Sequence, residues 1–296
     1  MNNSTKICLY SRTPLAAAPW ELFKALRKYT TLDVSYVNGR NRYADGREFP
    51  YHLLSGVHNG KAQSVLDESE IWHVHNYLVA NLLESRKDQK VIAQFHSLPR
   101  QGNWETLMDF ADACYTIRQP LQEKEYKLPG LPNLIDPDEY IPIPRQCKIK
   151  IAFAPTTRYP IEHPASKGYL EVRDILNQIA TERDVDIMWI ERVNYELNLE
   201  LKQKCHILID DVVTGNWHRT SLEGCCFGSA VINKINKVPF VSASLKNLHQ
   251  KLLWLIDNPG VLRDYQERSR LWILQKWHAM DLVKAYVKAY EGVLNV

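Results

Sequence analysis

Short apolar runs alternate with helical stretches through the first half of the chain, stop at a crowd of prolines, and then start again. In the first half, residues 6–10 (KICLY), 32–37 (LDVSYV), 71–75 (IWHVH), 91–95 (VIAQF) and 112–117 read as buried strands. Between them lie stretches of helical period, such as 20–28, which sets Leu22, Phe23 and Leu26 on one face, then 77–85 and 119–125. Strands separated by helices build a parallel sheet, because a parallel pair needs a long crossover. Pro129, Pro132, Pro137, Pro142 and Pro144 then interrupt the chain, stopping helices and stiffening a connection. The alternation resumes with strands at 150–154, 186–190, 207–209 and 230–233, and helices at 168–182, 195–204, 245–258, 260–276 and 280–294. The expected fold is α/β, two Rossmann-like βα domains facing a central cleft, with ligands beyond the carboxyl ends of the strands. The boundaries read as 1–145, 146–276 and a final helical segment, 277–296.

Composition excludes several classes. With 45% hydrophobic and 24% charged residues, the 296-residue chain is an ordinary globular one, long enough for two domains. A net charge of +3 is too mild to argue for a nucleic-acid partner. No run approaches the roughly 18 apolar residues of a membrane span, and MNNSTK leads into a strand rather than a signal peptide, so the expected location is cytoplasmic. Six scattered cysteines, with no CxxC pair, read as reduced and mostly buried thiols.

Two stretches carry chemistry. In residues 210–228, DDVVTGNWHRTSLEGCCFG, a strand runs into a turn at Gly215 and Asn216 and opens into a helix. The backbone N–H groups near Thr220 and Ser221, with the positive end of the helix dipole, suit a phosphate. Glu223, read as lying in the first turn, suits a sugar diol. The competing reading makes Ser221 a cap and Glu223 a complement to the dipole. In residues 154–168, APTTRYPIEHPASKG, Arg158 and Lys167 flank a proline-containing loop, and together they could converge on one diphosphate. A solvated loop with two basic residues is the alternative.

In their order and spacing, APTTR with SKG, IDDVVTGNWHRTSLEGCCFGSAVI and the connection LPNLIDPDEYIP resemble the GT-B-fold glycosyltransferases of the retaining, family-4-like kind. The resemblance implies a nucleotide diphosphate sugar as donor, no metal or other cofactor, and a last helix that packs back on the first domain. It assigns Arg158 and Lys167 to the diphosphate, Glu223 to the ribose, the N–H groups near Thr220 and Ser221 to the distal phosphate, and His96 to the donor sugar. The acceptor is then a saccharide or other hydroxyl compound. The chain departs from the family at Gly215, where a glutamate often stands, and at Ala16, Ala17 and Ala18, which replace glycines expected after the first strand.

Other signals have plainer explanations. His73 and His75 share a strand face without a carboxylate, which is a poor metal site. Asp184-Val185-Asp186 and Asp136-Pro137-Asp138 imitate a metal-binding DxD, but one opens a strand and the other lies in the connection. Arg40, Arg42, Arg47 and Lys61 with Tyr43 and Tyr51 suggest a basic acceptor surface, offset by Asp45 and Glu48. Arg100, following the strand that ends at His96, is the better acceptor-side candidate. Two rival functions remain on the same scaffold: a sugar-nucleotide isomerase and a non-catalytic nucleotide-sugar-binding protein.

Overall fold

The computed structural model describes residues 5–77, 85–99, 104–155, 158–163 and 166–295. Arg100 and most of the helix expected at 77–85 therefore lie outside the described residues. The chain forms two compact units, one of the residues up to Asp136 together with those from Ala279 onward, the other of residues 137–278.

The first unit holds β1 (Lys6–Ser11), β2 (Asp33–Asn38), β3 (Leu53–Leu54), β4 (Ile71–His75), β5 (Lys90–Phe95), β6 (Ala113–Ile117) and β7 (Gly130–Leu131). They pair in parallel in the order β3-β2-β1-β4-β5-β6-β7, so the strand order reverses beside β1. Helices α1 (Ala18–Tyr29), α2 (Asn59–Glu68), α3 (Trp104–Phe110) and α4 (Pro120–Tyr126) accompany them. The two-residue strands β3 and β7 carry no period that a sequence can show. Nor do α2 and α3 show a helical period, since their buried faces amount to Ala62 and Leu66 in one and Leu107 in the other.

The second unit is a five-stranded parallel sheet of β8 (Lys150–Phe153), β9 (Asp186–Trp189), β10 (Ile207–Ile209), β11 (Ala230–Asn233) and β12 (Val241–Ser242), in the order β12-β11-β10-β8-β9. Its helices are α5 (Tyr169–Glu182), α6 (Tyr195–Gln203), α7 (Arg219–Cys226), α8 (Leu248–Asp257) and α9 (Pro259–Lys276). Val172, Leu176 and Ile179 of α5 and Leu248, Leu252 and Leu255 of α8 recur at helical spacing and bury against Ile151, Phe153, Ile207 and Ile209. On α7, a Cβ at Gly224 would stand 2.7 Å from side-chain carbons of both Leu208 and Val231, so glycine lets this helix lie close on the sheet.

The last helix, α10 (Ala279–Leu294), belongs to the first unit. Its Val283, Tyr286, Tyr290 and Val293 join Ile7, Leu9, Ile71 and Ile92 in one buried cluster. Tyr286 donates to the Pro132 carbonyl at 2.7 Å and accepts from Gln94 Nε2 at 3.1 Å, which satisfies its hydroxyl in the core. Among the described residues, no helix is long and apolar enough to cross a membrane.

Candidate functional site

In the second unit, β8 and β10 are neighbours, with Phe153 opposite Ile209, so the loops that follow them leave the same sheet edge side by side. Lys167 joins the two loops by donating from its ammonium to Oδ1 of Asp210. Asp210 is almost fully buried and also accepts the His218 backbone N–H at 2.8 Å and the Ser221 hydroxyl at 2.6 Å on Oδ2. Burial alone would raise its pKa. The Lys167 charge and the donors around it overcome that effect and hold the carboxyl well below its usual value.

This arrangement alters the reading of the helix start. The N-cap of α7 is His218, with an extended backbone and no side-chain cap bond, and neither Thr220 nor Ser221 takes that place. Instead, the Asp210 carboxylate sits at the positive end of the helix and receives the donors there. Thr220 accepts from Lys202 Nζ at 3.3 Å, and Ser221 accepts from the Asn233 amide at 3.3 Å while donating to Asp210. Upstream, Asp211 Oδ1 accepts the N–H groups of Val213 and Thr214 at 2.9 and 2.8 Å, which folds the turn into Gly215. Gly215 has φ +82°, a left-handed backbone that glycine adopts without strain, and open space lies where a Cβ would stand.

Among the described residues, Arg158 and Lys167 do not share a partner. Arg158 is exposed, donates from Nε to Glu191 at 3.1 Å, and lies 5.0 Å from the Tyr169 ring centroid. Each cation thus has its own carboxylate on a neighbouring loop.

Glu223 lies in the second turn of α7, not the first, and is only 3% exposed. Its Oε2 accepts from Lys202 Nζ at 2.6 Å, and its Oε1 is 3.1 Å from Arg219 Nε, within ion-pair distance though not aligned for a hydrogen bond. Arg219 also donates to the Tyr140 hydroxyl at 3.3 Å, which is 2.9 Å from the hydroxyl of Tyr195. The carboxylate that the sequence offers to a ribose is here the counter-ion of two buried cations. Lys202 and Arg219 escaped the sequence reading. The sequence signal for them was weak: Arg219 stands at i−4 from Glu223, whereas Lys202 comes from the polar stretch of another helix.

In the first unit, His96 follows β5 and its backbone is held on several sides. Its N–H donates to Asn76 Oδ1 at 2.6 Å, its carbonyl accepts from Gln122 at 3.4 Å, and Tyr126 bonds the next carbonyl at 2.9 Å. Its Nε2 is 3.0 Å from His75 Nδ1. Burial pulls its pKa down to about 3, so the ring is neutral at ordinary pH. His73 and His75 stack at 4.4 Å between ring centroids, and His73 Nδ1 lies 2.9 Å from the Tyr290 hydroxyl.

After β1, Leu15, Ala16 and Ala17 all take left-handed backbone with φ of 48°, 51° and 65°, so the loop adopts the conformation expected of glycines without having any. The Ala16 N–H donates to the Tyr43 hydroxyl at 2.9 Å. Tyr43, Arg40, Arg42, Leu54 and Val57 line a cavity of about 350 Å³. The charges of this loop offset one another, Arg42 pairing with Glu48 and Arg47 with Asp45, as the expectation of a solvated loop has it.

No protein-family model matches the chain, and no curated protein sequence does. Among solved structures, the chain is similar to an alpha-glucosyltransferase in complex with UDP and a 13-mer DNA, at TM-score 0.67 and 10% identity, over 96% of this chain and 99% of that one. It is similar, again at TM-score 0.67 and 10% identity, to an alpha-glucosyltransferase in complex with UDP-glucose and DNA containing an abasic site, over 97% of this chain and 99% of that one. A sucrose-phosphate synthase from Thermosynechococcus elongatus matches at TM-score 0.62 and 9% identity, over 98% and 99%. The fold is the GT-B fold of these glycosyltransferases.

Proposed function

We propose that the chain is a glycosyltransferase that moves a sugar from a nucleotide diphosphate sugar to an acceptor hydroxyl, with retention of configuration and without a metal. The full-length likeness to an alpha-glucosyltransferase holding UDP-glucose carries the reading most directly. The two cations on the loop that follows β8 support it. In this reading the donor diphosphate meets Arg158 and Lys167. Arg158 is exposed and can exchange Glu191 for phosphate at little cost. An ammonium has three donors, and Lys167 spends one on Asp210, leaving two for an incoming phosphate oxygen. Both charges would act most strongly as the diphosphate departs, because negative charge grows there in the transition state. Thr220, Ser221 and Gly215 border the distal phosphate, Glu223 approaches the ribose with its two cations, and neutral His96 donates a hydrogen bond to the transferred sugar. The acceptor side belongs to Arg100 and its surroundings. Buried, unbridged thiols at Cys8, Cys205, Cys225 and Cys226 accord with a cytoplasmic location.

The pairing of both cations with carboxylates favours one second reading, a protein that binds nucleotide sugars without turning them over. A panel of UDP-, GDP-, ADP- and dTDP-sugars separates the two. A bound donor at a hundredfold excess over its Kd should stabilise the fold by about 2.7 kcal/mol, read as a raised melting temperature. Slow donor hydrolysis or transfer to a sugar, a small hydroxyl compound or DNA supports the enzyme, and DNA enters the panel because the two alpha-glucosyltransferase structures were solved in complex with it. An unmoved melting curve with every donor at millimolar concentration would sink both readings. In the enzyme, His96→Ala should lower kcat well beyond its effect on nucleoside diphosphate affinity. Equal losses in both would place His96 away from the reacting sugar.

A further inference from the structure

The end of β4 and the end of β5 put two imidazoles in contact, and one of them has a nitrogen that bonds nothing among the described residues. His75 is 1% exposed and its Nε2 has no hydrogen-bond partner among the described residues, while its Nδ1 lies 3.0 Å from His96 Nε2. Nδ1 of His96 has no partner among the described residues and is the ring nitrogen left for a ligand. Among the described residues, the groups bonded to or stacked on the pair are His73 on β4, Asn76, and Gln122 on α4, none of them a carboxylate, lysine or arginine; His73 in turn meets Tyr290 on α10. Burial keeps all three imidazoles neutral, so each carries one proton and must place it on one nitrogen.

We propose that His75 is a positioning residue: its Nδ1–H donates to Nε2 of His96, confines the His96 proton to Nδ1, and so makes His96 a fixed hydrogen-bond donor toward a ligand oxygen. The opposite arrangement would put the His75 proton on Nε2, stranding an N–H in the core. Orphaned buried N–H groups are rarer than under-used acceptors, and the bare Nε2 lone pair of the chosen tautomer is the lesser penalty. Asn76 and Gln122 hold the His96 backbone, so the ring's remaining freedom is its rotation, and the bond to His75 removes that as well. A neutral imidazole with its proton facing the ligand cannot act as a proton-abstracting base there. It can donate to a hydroxyl or ring oxygen of a sugar. That functional meaning rests on the donor-sugar role proposed for His96; the tautomer itself does not.

The test is a long-range proton–nitrogen correlation spectrum of the protein with 15N-labelled histidines at pH 7, with the His96 signals assigned by their loss in His96→Gln. The expected spectrum shows His96 protonated at Nδ1 and bare at Nε2. A proton on Nε2 of His96, or a doubly protonated ring at pH 6, overturns the proposal without any other variant. His75→Phe keeps the volume and removes the donor, and His96 should then populate both tautomers, whereas His75→Asn, which retains an N–H donor, should return it toward Nδ1. An unchanged His96 tautomer in a folded His75→Phe also overturns the role. If a donor sugar is turned over, His75→Phe should lower kcat by about tenfold, the size of one lost hydrogen bond, with the donor KM little changed. If the tautomer is as expected but no nucleotide sugar binds, the positioning role stands and the glycosyltransferase reading fails.

Discussion

Glu223→Gln is expected to destabilise the second unit by about 3–5 kcal/mol, the size of effect seen when one partner of a buried ion pair is removed. Lys202 and Arg219 are 4% and 5% exposed, so neither can turn to water once the carboxylate is gone. Gln preserves shape and one acceptor oxygen but supplies no charge, so Lys202 and Arg219 both lose the carboxylate they share. Urea unfolding of the variant measures the loss. Adding Lys202→Met should restore a large part of it, because it removes one of the stranded charges. If Glu223 served only to complement the helix dipole, the loss would be about 0.3–1 kcal/mol and the second substitution would not help. Donor affinity, measured under conditions where the variant is folded, addresses the ribose role separately. Unchanged affinity with a large stability loss would leave Glu223 as a structural counter-ion alone.

Much of the scaffold was legible in the sequence because burial on both faces writes itself as short apolar runs. IWHVH, VIAQF and KIAFA became β4, β5 and β8 with boundaries shifted by at most one residue. Two-residue strands such as Leu53–Leu54 and Val241–Ser242 are specified by their neighbours across the sheet, which a linear reading does not see. The candidate site was legible as residue types but not as partners. Sequence spacing placed Lys167 and Arg158 near a phosphate, yet Asp210 and Glu191 reach them from loops 43 and 33 residues further along. The same blindness applied to Glu223, whose burial depends on Lys202 arriving from α6. Left-handed backbone at Leu15, Ala16 and Ala17 was the least readable feature, since residue identity argued against it and only the surrounding structure holds it.

The first unit should lose stability between pH 6.5 and about 3, and the buried histidines are the cause. His73 is fully buried, and burial pushes its pKa from 6.5 down to about 3. Above pH 6.5 both the folded and unfolded chains hold it neutral, so its contribution is fully present there. Below that the unfolded chain takes up a proton that the fold refuses, and stability falls with each unit of pH until the folded pKa is reached. At pH 5 the difference amounts to about 2 kcal/mol for His73 alone, at about 1.4 kcal/mol per unit. His75 and His96 shift in the same direction and deepen the loss. Asp210 also favours the fold only while ionised, but its unfolded value is near 3.8, so its loss begins lower and belongs to the second unit. Denaturant titrations at pH 7.5 and pH 5, followed by a probe in the first unit, measure the effect. In His73→Gln the pH dependence across that interval should shrink by the His73 share, because the amide has no proton to gain. A stability that stays flat from pH 7.5 to 5 would mean that these imidazoles take up protons inside the fold, and with them would go the neutral His96 on which its role as a fixed donor depends.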